Sequence, residues 1–278
     1  MLAGLYQTFV VQLRDRADAR ARQTPPEVGT RQLLTVALGV MAVLFFIRYF
    51  GRSTEPQYWQ AILRGIGLSD WADALGRALT QGEGAKMARK VYWAGARLFA
   101  YTVIPATFAW VGLRGAAKIP LRELFGLKLS GFFEHVRIYL LMLAVVAPVV
   151  VLASLTDSFQ RKYPFYRLEE GESVWPWLIA WELLYAMQFL ALEMFYRGFI
   201  VQGLSRRLGY AAIFFMMVPY MMIHFGKPMP ECLGSIIAGF VLGTMSLKSG
   251  AIWFGAVLHV LVAWGMDFLS LWHQGHLS

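Results

Sequence analysis

Cysteine is nearly missing from this chain, with Cys232 the one copy in 278 residues. That count excludes an internal disulfide and any cysteine-based metal centre. Charge is scarce too, at 15% of residues, and lopsided, with 17 acidic against 26 basic side chains. A chain that is 58% hydrophobic, with mean hydropathy +0.50, falls outside the range of soluble globular domains. The sequence also lacks an HExxH run, a GxSxG elbow, a P-loop and a Rossmann fingerprint. The soluble zinc-protease arrangement and the common serine-hydrolase and nucleotide-binding signatures go with them. No internal repeat stands out, so an inverted-repeat carrier has no support.

What the chain does have is long apolar runs. About 20 helical residues cross a ~30 Å hydrocarbon core. Runs at 33–47, 91–113, 138–155, 177–203, 210–225, 232–247 and 251–271 therefore predict seven transmembrane helices. The stretch 58–79 is either an eighth or, given its polar content, an amphipathic surface helix. The expected fold class is all-α, a polytopic membrane helical bundle with interfacial amphipathic helices.

The net charge of +9 sits mostly in connecting segments. That is the positive-inside pattern of a chain partnered with a lipid bilayer, not with nucleic acid. Arg14, Arg16, Arg20 and Arg22 precede the first run and predict a cytoplasmic N-terminus; the expected location is an integral one, in a bacterial inner membrane. The segment carrying Arg114, Lys118, Arg122, Lys128 and Arg137 returns to that side, as does the Arg206-Arg207 turn. The basic segment 48–90 falls on the opposite side, though long loops follow the bias poorly.

Three regions are expected. Residues 1–30 form an amphipathic cytoplasmic extension with Leu2, Leu5, Phe9 and Leu13 on one side, set off by Pro25-Pro26 and Gly29. Residues 31–173 hold the N-terminal transmembrane helices and loops, ending in an acidic loop with Asp157, Glu169, Glu170 and Glu172. Residues 174–278 form a core carrying the candidate site, entered past Trp175, Trp177 and Trp181 at the membrane interface.

A charged side chain at the bilayer centre costs about 2.5–3.5 kcal/mol on insertion scales, so each one needs a reason. Glu193, Arg197, His224, His259 and Asp267 all stand in the last four runs. Glu193 lies 14 residues before Arg207 and His224 lies 15 after Gly209, which puts both ~21–22 Å from the shared turn. On the last run His259 and Asp267, at ~14 and ~25 Å from Gly250, bracket that level and share a face.

The plain structural use of Glu193 is an i, i+4 ion pair with Arg197 in the favoured order. A carboxylate, two imidazoles and a guanidinium converging from three runs suit a site better. A carboxylate beside an imidazole can deprotonate water while a second imidazole donates to an oxyanion. The same Glu193, His224 and His259 could instead hold zinc, with water in the fourth position.

Three short motifs follow in order: "LEMFYRGF" at 192–199, "YMMIH" at 220–224 and "HVLVA" at 259–263. Together they resemble the EExxxR, FxxxH and HxxxN or HxxxD motifs of the CPBP intramembrane proteases. That family comprises CAAX prenyl endopeptidases, bacteriocin-processing proteins and abortive-infection proteins. The resemblance covers roughly 177–271 and includes the small-residue texture of Gly234, Gly239, Gly243 and Gly250.

It implies an intramembrane endopeptidase acting on a membrane-associated or lipid-anchored protein. Glu193 would be the candidate base, His224 its partner, and His259 an oxyanion donor or metal ligand. Arg197, Tyr220 and Asp267 would support them. Leu192 stands where the family has its first Glu, and Ala263 where it has Asn or Asp. Those departures leave a catalytically inactive scaffold or partner-binding protein as the alternative.

Overall fold

The computed structural model describes residues 4, 6–82, 84–113, 120–128, 136–169, 172 and 175–277. Leu2, Leu5, Arg114, Lys118 and Glu170, which entered the expectations above, lie outside those residues. The protein is all-α. Among the described residues no strand forms, and Leu127 and Ala251 meet only as an isolated antiparallel bridge.

In chain order the helices are α1 (Gln12–Arg22), α2 (Pro26–Tyr49), α3 (Gln57–Gly65), α4 (Ser69–Thr80) and α5 (Ala85–Leu113). Then come α6 (Leu121–Leu124), α7 (Val136–Ser154), α8 (Asp157–Gln160) and α9 (Trp177–Glu193). A π-helical segment, Met194–Gln202, runs on into α10 (Gly203–Leu208). The chain closes with α11 (Ala212–Met222), α12 (Met229–Ser249) and α13 (Trp253–His273).

Five helical runs among the described residues are long and apolar enough to cross a membrane. They are Pro26–Tyr49, Val136–Ser154, Trp177–Met222, Met229–Ser249 and Trp253–His273. With these runs the chain is an integral membrane protein. The α7 helix shows how little protein some of them touch, since 6% of its apolar window is buried.

Two of the seven expected spans do not stand by themselves. The run at 91–113 lies in α5, whose first half carries Lys86, Arg89, Lys90 and Arg97. The runs at 177–203 and 210–225 belong to one 46-residue helical stretch that reverses at Gly209. Its returning arm, α11, has 11 residues, or ~16 Å of rise, against a ~30 Å core. The 58–79 stretch forms two short helices, α3 and α4. Trp175 and Trp177 are exposed as expected of interface residues, but Trp181 is fully buried and stacks on Tyr185 at 5.1 Å.

The reversal has a local cause. Gly209 adopts φ 57° and ψ −131°, a conformation that side chains with a Cβ avoid. The Tyr210 N–H that follows it donates to Asp18 Oδ1 on α1 at 2.8 Å, so the amphipathic N-terminal helix fastens the turn. From there α11 folds back along the π segment, and the Tyr196 hydroxyl donates to the Pro219 carbonyl at 3.3 Å. Phe195, Tyr196, Phe199, Ile200, Ile213 and Met216 are buried around that contact and form the centre of the main core.

At the other end of the bundle, loop residues tie down the helix ends. Tyr163 donates to Glu231 Oε2 at 2.8 Å, and Lys227 reaches Glu231 Oε1 at 2.5 Å. Glu172 accepts from Lys86, from Tyr166 at 2.8 Å and from the Glu169 N–H at 2.9 Å. Burial would raise the Glu172 pKa, but these donors outweigh it and hold the carboxyl below its usual value.

Candidate active site

Glu193 ends α9 and Arg197 lies in the π segment that follows. A π turn widens the helix and re-aims the side chains on it, and such turns recur at functional sites. Both side chains are completely buried, with Arg197 Nη1 2.9 Å from Glu193 Oε1. The contact is one of charge rather than a directed hydrogen bond, because the guanidinium nitrogens have no hydrogen-bond partner among the described residues. The guanidinium carbon instead sits 4.1 Å above the Tyr220 ring, a cation–π contact.

The third partner comes from α13. The start of this helix is fixed by the Ile252 N–H, which donates to the Gly126 carbonyl at 3.1 Å. Gly255 and His259, four residues apart, then lie on one face. His259 Nδ1 is 2.7 Å from Glu193 Oε1. A carboxylate can only accept here, so Nδ1 carries the proton and Nε2 presents a lone pair in the neutral ring. The Tyr220 hydroxyl fills that acceptor at 2.8 Å. Phe189 stacks on the imidazole with ring centroids 5.2 Å apart, which fixes its plane.

Glu193 Oε2 has no hydrogen-bond partner among the described residues and lies 2.6 Å from where a Cβ on Gly255 would stand. The carboxylate is thus pressed onto the first turn of α13, where the free N–H ends of the helix favour negative charge. The Glu193 side chain is 0% exposed, while that of His259 is 16% exposed. The ring thus reaches the surface of the chain and the acid does not.

His224 stands apart from Glu193. The α11 helix stops at Met222, and His224 lies in the turn beyond it. Its Nδ1 faces the Tyr220 carbonyl at 2.9 Å, and its ring meets the Tyr220 ring edge-on at 4.9 Å. The structure therefore brings Glu193, Arg197, His259 and Tyr220 into direct contact and adds His224 through Tyr220.

Asp267 goes elsewhere. It accepts from the Phe165 N–H at 3.2 Å and neighbours Glu182, two turns further along α13. Leu192 and Ala263, the two departures from the motifs, are buried among apolar side chains. Among the described residues no three His, Cys, Asp or Glu side chains come together as a metal-holding group. Glu193, His224 and His259 do not fit zinc, since Glu193 Oε1 is already shared by Arg197 and His259 and His224 points to Tyr220.

Sequence reasoning missed two elements that shape this cluster, the π segment and Gly255. Gly255 left a signal, a glycine four residues before a membrane-depth histidine. The π segment left none that its residue types reveal.

These features define a class: a membrane-embedded helical protein whose interior holds a carboxylate–imidazole–phenol chain beside a buried guanidinium. Comparison with known proteins narrows it. The family model described as "Type II CAAX prenyl endopeptidase Rce1-like" matches residues 173–265, about a third of the chain, and that segment contains Glu193, Arg197, Tyr220, His224 and His259. No curated protein and no solved structure matches the chain.

Proposed function

We propose that the protein is an intramembrane endopeptidase that cleaves a membrane-associated or lipid-anchored protein, and that His259 is its base. The observation that carries this is the 2.7 Å contact of a fully buried carboxylate with one nitrogen of a partly exposed imidazole. In that geometry Glu193 orients the ring and stabilises the imidazolium, while Nε2 takes the proton from water. This reading differs from the roles expected from sequence, in which Glu193 is the base and His259 an oxyanion donor or metal ligand. Arg197 offsets the cost of burying the Glu193 charge. His224, with Nδ1–H turned toward the Tyr220 carbonyl, keeps Nε2 free to hold the attacking water.

Tyr220 stands where the resembled motif has Phe, so the proposed chemistry does not need its hydroxyl. In the resting protein that hydroxyl occupies His259 Nε2. Tyr220→Phe is expected to cost about 1 kcal/mol in stability from the lost hydrogen bond. Cleavage is expected at or above the wild-type rate. A large loss of kcat in this variant would assign the hydroxyl a chemical role and overturn the assignment of His259 Nε2, once released by Tyr220, as the base.

The substrate test needs no prior candidate. Cells expressing the wild-type chain or His259→Ala are compared by terminal labelling and mass spectrometry of membrane proteins. New membrane-proximal peptide ends are expected with the wild type alone. Identical sets would favour the second reading, a non-catalytic scaffold, which the apolar Leu192 and Ala263 support.

A further inference from the structure

The N-terminal helix and the Gly209 turn enclose an open groove of ≈ 420 Å³, lined in part by Arg14, Asp18, Arg22, Arg207, Tyr210 and Phe214. Three arginines stand there against one aspartate, and Asp18 Oδ1 is already committed to the Tyr210 N–H. Arg14 pairs with Asp15 at 2.9 Å, but both are more than half exposed, so the contact is weak and exchangeable. Arg22 and Arg207 pair with no carboxylate among the described residues. Arg20 and Arg206 add two more cations within electrostatic range of each other. Gathering this much like charge on one rim is unfavourable until an anion arrives.

What lies below the rim identifies the anion. Phe214, Phe215, Val218 and Met222 on α11 are 50%, 56%, 64% and 45% exposed. They make an uncovered apolar stripe that leads away from the arginines along α11, the returning arm of a helical stretch apolar enough to enter a membrane. A cationic rim above an apolar, lipid-facing stripe matches one kind of molecule, with a negative phosphate at one end and acyl chains at the other. We propose that this groove binds an anionic phospholipid, the phosphate between Arg22 and Arg207 and a chain along Phe214, Phe215 and Val218. Basic pockets beside transmembrane helices bind acidic headgroups by this division of labour. Because the groove is bounded by the Asp18–Tyr210 contact, a bound lipid would brace the hairpin that carries both Glu193 and Tyr220.

The test uses the full chain in neutral detergent, followed by native mass spectrometry. Phosphatidylglycerol or phosphatidylcholine with identical acyl chains is added. The wild-type chain is expected to retain phosphatidylglycerol about tenfold better, and to lose that preference as NaCl is raised. Arg22→Gln/Arg207→Gln is expected to abolish the preference without lowering the melting temperature, since both side chains are exposed. Glycerophosphoglycerol, the headgroup without chains, is expected not to compete. Equal retention of the two lipids, a preference unchanged in the double variant, or competition by the free headgroup would each overturn the proposal. The salt series on the wild type keeps the test decisive if the variant fails to fold.

Discussion

Under the proposed chemistry, Glu193→Gln is expected to lower cleavage by about 10²–10⁴-fold, the range for loss of a positioned acid–base group. Glutamine keeps the shape of the side chain and an oxygen for the His259 Nδ1–H. It removes the negative charge that would stabilise an imidazolium once Nε2 has taken a proton. The same change leaves Arg197 as an unpaired cation with no exposed surface, and breaking a buried pair in this way costs about 3–5 kcal/mol.

Lost activity in the single variant could therefore come from lost folding, and a second substitution separates the two. Glu193→Gln/Arg197→Met removes both charges, so its melting temperature in detergent is expected to recover toward wild type while cleavage stays absent. A double variant that cleaves like the wild-type chain would remove Glu193 from the chemistry.

Gly255→Ala is the second large effect, and its sign makes it diagnostic. In a helix interior this change ordinarily stabilises by about 1 kcal/mol. At position 255 the added methyl would stand 2.6 Å from Glu193 Oε2, well inside contact distance. The carboxylate has nowhere to retreat, being buried and bound on its other oxygen by His259 and Arg197. Overpacking of this kind costs about 1–3 kcal/mol, and shifting the acid by ~1 Å from the ring costs about 10²-fold in rate. Gly265→Ala, on the same helix with nothing within 4 Å of the new methyl, is the control and is expected to be neutral or stabilising. Parallel melts and cleavage assays check the pair. Equal behaviour of the two variants would show that Glu193 does not rest on Gly255.

Much of this arrangement was legible in the sequence because membrane depth converts to residue count. A rise of ~1.5 Å per residue put Glu193 level with His224, and set His259 and Asp267 on either side of that level. The four-residue spacing put Glu193 and Arg197 on one face. Apolar runs announced the helices, and the order of the three motifs pointed to the family whose model matches residues 173–265.

What stayed hidden depends on where helices stop and how they wind. His224 was counted as the fifteenth residue past Gly209 on a continuing helix, yet α11 unwinds after Met222 and turns that ring toward Tyr220. The nine-residue π segment changes the direction of each side chain after Glu193, and hydrophobic spacing carries no record of it. Asp267 shares a helix face with His259, but Phe165, from a loop about a hundred residues upstream, takes its carboxylate. The span count failed for a similar reason, since hydropathy sees 177–225 as two lengths of apolar chain and cannot see how short the second arm is.

The bond between Asp18 and the Tyr210 N–H also has a consequence for biosynthesis. Helix α1 closes on a partner made 192 residues later. Until that partner is made, the Asp18 carboxylate lacks the backbone N–H that it accepts from in the finished fold. A change that blocks Asp18 would then interfere with the last stages of assembly rather than the first, and its damage would surface at the turn of the hairpin.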